Sequence, residues 1–152
     1  MMTMTDAQAE QAMRAHHSEM ATALRQRVAA LGAAVQARQG HFEQQKAVLD
    51  YLENELLPHA AAEEQALYPA GDTGLTALLV RSMRDEHLNL IAHVDAFRNA
   101  SDAIQAVALS SAILALFDSH LHKENDLLIP ALQSDPSVSL ADLLGGMHEL
   151  LG

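Results

Sequence analysis

The 152-residue chain is predicted to be all-α, an antiparallel up-down four-helix bundle with a short C-terminal helical appendage. Three observations predict it. Ala, Leu, Gln and Glu are abundant, aromatics make up only 3% of residues, and the few Gly and Pro residues cluster where connections are expected. Apolar residues recur at alternating steps of three and four along four long segments, the pattern of helices with one buried face. Two of these segments share a phrase at an offset of 61 residues: His59 and Glu63 followed by Leu67, Pro69 and Ala70, and His120 and Glu124 followed by Leu128, Pro130 and Ala131.

The first helix starts at Thr5 or Asp6 and runs to Arg38 before Gly40, with Met13, Met20, Leu24, Val28, Leu31 and Val35 as its stripe. The second covers about residues 42–68 and stops at Pro69 and the Gly-rich turn 71–74. Its seam reads Phe42, Gln45, Leu49, Leu52, Leu56, His59, Glu63, Ala66, Ala70. Pro58 lies inside it, lacks a backbone donor and clashes with the carbonyl of Asn54, so the helix kinks or restarts there. The third helix covers about residues 75–98, with Val80, Met83, Leu90 or Ile91, Val94 and Phe97 inward. The fourth is capped by Ser101 or Asp102 and continues to about Gln133, its seam reading Ala103, Ala106, Ser110, Ile113, Phe117, His120, Glu124, Leu127, Ala131. One domain is expected over residues 1–152, with the bundle in about 5–133 and a tail in 134–152 whose apolar pattern is interrupted by Gly145 and Gly146.

Four residues along a helix advance about 6 Å and return to within about 40° of the starting direction, so each His and Glu pair projects from one face. Nine His and ten Glu residues predict roughly 0.6 such pair by chance, so the shared Leu-x-Pro-Ala ending carries the weight. Both pairs fall on the inward seams. A buried carboxylate or imidazole without partners is costly by several kcal/mol, and a metal ion satisfies several at once. His17 fits the stripe of the first helix, with His16 one residue away and exchangeable with it by a small rotation. His87 is in register on the third helix. One imidazole and one carboxylate per repeated segment, delivered twice, is half of a dinuclear site.

The order His, His-x-x-x-Glu, His, His-x-x-x-Glu resembles the hemerythrin-like proteins, specifically their His-His-Glu cation-binding branch, over about residues 10–133. The resemblance is carried by residues 15–20, by His59 to Pro69, by Asp85, Glu86, His87 and Leu88, and by His120 to Pro130. It implies four antiparallel helices around a non-haem di-iron centre, with His17, His59, His87 and His120 as terminal ligands and Glu63 and Glu124 as bridges. Two departures stand out. Oxygen carriers of that family have a second His one turn along the third helix, where this chain has Ile91, and an Asp five residues after the last His, where this chain has Glu124 at four. The missing imidazole implies a more open iron, suited to reaction with a small molecule over reversible carriage. The implied function is binding or sensing of oxygen, nitric oxide or peroxide at two irons, with zinc as a substitute metal. The alternatives are a di-iron enzyme detoxifying peroxide or nitric oxide, or an iron-handling and repair protein.

Several classes are disfavoured. With no Cys there is no disulfide, thiolate zinc module or Cys-ligated cluster. A net charge of −11 disfavours nucleic acid and anionic membranes. The start lacks a signal-peptide core, and no segment is expected to reach the ~18 uncharged apolar residues of a membrane span, so a cytoplasmic protein is expected. Glu-x-x-His and His-Glu-x-x-His motifs are absent. His41, His93, His122 and His148 are expected outside the site, and Glu64 and Glu86, turned about 100° from their ligand neighbours, are expected to back the ligands or lie at the surface. Tyr51 and Tyr68 could hydrogen-bond near the site, but as core or rim residues they need no such role. Exposed surfaces of the first helix or the tail leave room for a homodimer.

Overall fold

The computed structural model describes residues 3–152, which contain helices and no strand. Helix α1 is Asp6–Gln36 and opens on a reciprocal cap: the Gln8 N–H donates to Thr5 Oγ1 (3.2 Å) and the Thr5 N–H to Gln8 Oε1 (2.9 Å). It ends earlier than expected. Arg38 takes the left-handed conformation (φ 56°), so its N–H reaches Val35 O and that of Gln39 reaches Ala34 O. The stop chemistry expected of Gly40 is thus supplied two residues upstream by an arginine.

Helix α2 covers residues 42–66, as α-helical Phe42–Tyr51, a π-helical turn Leu52–Leu56 and α-helical Leu57–Ala66. Helix α3 is Ala77–Arg98, entered through the 3-10 turn Gly74–Thr76, in which Gly74 has φ 59°. Helix α4 is Ala103–Gln133, with its own π turn at Glu124–Leu128, and starts where Asp102 accepts the Gln105 N–H (2.8 Å). The pairs α1–α2, α2–α3, α3–α4 and α4–α1 all pack, closing a ring of four. Helix α5, Leu140–Leu151, runs unbroken through Gly145 and Gly146 and packs on α1 and the Leu57–Ala66 half of α2.

Both π turns lie just before a proline. The carbonyls that Pro58 and Pro130 would strike, those of Asn54 and Asp126, fall inside Leu52–Leu56 and Glu124–Leu128. There the bonds run five residues back, from Leu57 N–H to Leu52 O and from Ile129 N–H to Glu124 O, which accommodates the ring. The expected interruption at Pro58 is therefore a local widening. The extra residue also moves the seams by one position. Upstream in α2, Val48 is buried in place of Leu49, and Phe42 is 73% exposed. Downstream in α4, Leu128 and Leu132 are buried in place of Leu127 and Ala131. The sequence repeat aligned Pro69 with Pro130, yet Pro69 lies in the 3-10 turn Tyr68–Gly71 that ends the second segment, so the two segments diverge after their Glu residues.

The core has two apolar halves. One gathers Met20, Leu24, Leu52, Leu56, Leu90 and Phe117 among others; the other gathers Met13, Leu67, Tyr68, Met83, Leu128 and Leu144. On every bundle helix the charged and imidazole residues fall between these halves, so the site is a polar layer clamped by hydrocarbon. Leu90 is the inward residue of the pair left open on α3, and Ile91 is 49% exposed. The tail is more than an appendage, since Leu140, Leu144 and Met147 complete the second half of the core. Helix α4 also departs from expectation: it contains an 18-residue window of mean hydropathy 1.4, long and apolar enough by composition to cross a membrane, although here it packs as a bundle helix.

Two glycines separate packing from propensity. At Gly71 an added Cβ would stand 2.9 Å from Val80 Cγ2 and 3.1 Å from Leu128 Cδ1, whereas at Gly145 it would meet nothing within 4 Å. Gly71→Ala is expected to destabilise by about 1–3 kcal/mol and Gly145→Ala to stabilise by about 0.5–1 kcal/mol in urea unfolding.

Candidate metal centre

His17, His59, Glu63, His87, His120 and Glu124 are all buried and converge between the two apolar halves. Their spacing along α2 and α4 does the work: His59 and Glu63, and His120 and Glu124, each share a helix face at van der Waals range. The first helix places His17, and not His16, in the buried donor group. His16 lies at the rim, its ring 5.2 Å from that of His59, and burial together with His59 and His17 pushes its pKa down.

The carboxylates are divided between two pairs of imidazoles. Glu63 Oε2 lies 3.7 Å from His17 Nε2 and 3.3 Å from His59 Nε2, while its Oε1 lies 3.3 Å from His87 Nε2 and 3.8 Å from His120 Nε2. Glu124 repeats the division, with Oε1 3.0 Å from His17 Nε2 and Oε2 3.2 Å from His120 Nε2. One donor group comprises His17, His59, Glu63 and Glu124, and a second comprises Glu63, His87 and His120. Each glutamate thus faces both halves with different oxygens.

Whether these residues fit a cation is answered by their hydrogen bonding. His59 Nδ1 and Nε2, Glu63 Oε2, His87 Nδ1 and Glu124 Oε1 are buried without a hydrogen-bond partner among the described residues. The nitrogens and oxygens come close but are not aligned for N–H···O bonds; His59 Nε2 and Glu63 Oε2 are 3.3 Å apart in that state. His59 Nε2, Glu63 Oε2 and Glu124 Oε1 belong to the first donor group and, lacking hydrogen-bond partners, fit a cation that accepts their lone pairs, while His87 Nε2 and His120 Nε2 lie 3.0 Å apart, within hydrogen-bond range of each other. The donor set is nitrogen and oxygen only, suited to iron, zinc or manganese. Burial opposes the charge on Glu63, yet His59, His120 and His87 together hold its carboxyl well below the usual range. Burial likewise opposes a charge on His120, but the nearby Glu63 and Glu86 carboxylates push its pKa up.

Other residues attach to this layer. Glu86 Oε1 accepts from His120 Nδ1 (3.2 Å) while Lys123 holds its Oε2 (2.9 Å), and burial is outweighed by these partners, so its pKa is lowered. The neighbouring ring of His17 donates from Nδ1 to Asn125 Oδ1 (2.6 Å). Tyr68 is a fully buried core residue, and its hydroxyl takes up the hydrogen bonding near the site that the sequence left open: it donates to Glu124 Oε2 (3.0 Å) and lies 3.2 Å from His87 Nε2 and 3.0 Å from His120 Nε2. Burial and the surrounding Glu63, Glu64 and Glu86 drive its pKa upward, so it stands there as a neutral O–H. The His87 and His120 half is therefore not simply open, because the Tyr68 phenol occupies that side. No periodicity could have announced it, since Tyr68 enters from the 3-10 turn after α2.

A cavity of about 180 Å³ adjoins the other half, bounded by His16, His17, His59 and Glu124 on one side and by Leu144 and Met147 of α5 on the other. His148 also lines it without joining either donor group. His122 is exposed and pairs with Asp126 (2.9 Å), and His93 is half-buried and donates to Asn89 O (2.7 Å); neither belongs to a donor group.

A helical bundle with an internal layer of His and Glu from all four helices defines a class, the metal-binding helical bundles. The hemerythrin HHE cation-binding domain model matches residues 8–148, and the chain belongs to that family. The match takes in most of α5, beyond the 10–133 expected from sequence. No curated protein and no solved structure shows significant similarity to the chain.

Cation binding should report itself in stability. An ion that binds only the folded state at a hundredfold excess over its Kd adds about 2.7 kcal/mol. Zn(II) is expected to raise the unfolding midpoint of chelator-treated protein, and the Glu63→Ala, Glu124→Ala double variant to lose that shift.

Proposed function

We propose that this protein holds two iron ions and binds or senses oxygen, nitric oxide or peroxide at them. The observation that supports this reading best is that Glu63 is divided between two pairs of histidines and Glu124 between one histidine of each pair, which calls for two ions sharing two carboxylates. His17 and His59 would hold one, His87 and His120 the other, and Glu63 and Glu124 both. When bound, such a pair supplies redox capacity and exchangeable coordination positions for a small ligand.

The chain's own groups define the rest. Helix α5 and the apolar residues of the cavity cover the His17 and His59 side while leaving room for a small ligand. The Tyr68 hydroxyl offers a hydrogen bond on the His87 and His120 side. The paired polar networks at Asn125 and Glu86 fix the orientation of His17 and His120, so that the imidazoles need not reorganise as a ligand enters.

A catalytic reading, detoxification of peroxide or nitric oxide at the same centre, draws on the cavity, which is larger than a diatomic ligand needs. Iron-loaded protein is expected to carry about two irons per chain and to change its visible absorption on adding oxygen, nitric oxide or hydrogen peroxide. The double glutamate variant should lose both the iron and the change. Peroxide consumption above that of free iron would select the enzyme, whereas a colourless wild-type protein from iron-supplemented cells would refute the proposal.

A further inference from the structure

The two halves of the centre differ in what stands behind their imidazoles. His120 Nδ1 is hydrogen-bonded to the Glu86 carboxylate at 3.2 Å, and Lys123 at 2.9 Å from the other oxygen keeps that carboxylate in place. His87 Nδ1 has no hydrogen-bond partner among the described residues, the Glu64 carboxylate standing 3.6 Å away, so the asymmetry rests on Glu86 behind His120. On the opposite side His17 Nδ1 meets the neutral amide of Asn125 at 2.6 Å, and His59 Nδ1 has no partner among the described residues. Arg14 adds a cation there, donating to Asn125 O (2.6 Å) and Asp126 (3.2 Å).

A carboxylate behind an imidazole raises the basicity of the nitrogen facing the ion and fixes the ring, and losing such a partner typically weakens metal affinity 10–100-fold. An amide fixes the ring without adding charge. An unpartnered ring gains neither. We infer that the His87 and His120 half binds its ion first and more tightly, that the His17 and His59 half is the exchangeable one, and that Glu86 is a positioning residue setting the difference. This inference rests on the dinuclear reading above. It assigns an order of loading to two positions built from the same kinds of donor, one group offering four and the other three.

The test is a titration of metal-free protein with Co(II), followed by visible absorption and calorimetry, which requires no activity. Two steps are expected, the first at least about tenfold tighter. Glu86→Gln, which keeps an amide acceptor and removes the charge, should weaken the first step about tenfold and leave the second nearly unchanged. His59→Ala should remove the second step and spare the first. Asn125→Asp, which gives His17 the charged partner it lacks, should narrow the gap. Two ions entering in one step, a Glu86→Gln variant with both steps unmoved, or loss of the tight step in His59→Ala would each overturn the inference while leaving a dinuclear centre standing. Absence of any Co(II) binding would overturn the dinuclear reading and this one together.

Discussion

The structure depends on the cost of a buried polar layer. Four imidazoles and two carboxylates lie between two apolar halves, and several of their atoms have no hydrogen-bond partner among the described residues. Without a cation each such atom carries a desolvation penalty of about 1–3 kcal/mol, more for the charged carboxylates. The hydrocarbon on either side makes that penalty larger by excluding water and makes any ion–ligand attraction stronger for the same reason. Stability and function are therefore tied to the same atoms.

The scaffold carries this layer through details of backbone geometry. Two π turns absorb Pro58 and Pro130 while keeping each His and Glu pair on one face: in α2 the widening falls before His59, and in α4 it begins at Glu124 itself. Displacing either turn into the four-residue interval would rotate a glutamate away from its histidine. Helix α5 closes the structure at the other end, burying Leu140, Leu144 and Met147 against the half of the core that holds Tyr68.

Much of this was legible in the sequence. The four helices and the six convergent donors follow from steps of three and four with a His and Glu pair embedded in two of them. What was not legible arose where the chain leaves that period. The π turns displaced the predicted seams at Phe42, Leu49, Leu127 and Ala131, because a periodicity argument assumes 3.6 residues per turn throughout. Tyr68 enters from a 3-10 turn and Asn125 from within a π turn, so neither lies on a helical stripe. The close approach of α5 was obscured by Gly145 and Gly146, which read as a break; at Gly146 a Cβ would stand only 3.4 Å from Ala66, so the small residue allows a tight contact.

The central claim is that Glu63 and Glu124 are each shared by two ions. X-ray absorption of iron-loaded protein measures this most directly, through scattering from one iron to the other. The account predicts an iron neighbour at about 3.5–4 Å, the usual separation of carboxylate-bridged pairs. Iron bound with nitrogen and oxygen neighbours but no second iron within that distance would contradict it, and would reduce the site to a mononuclear one.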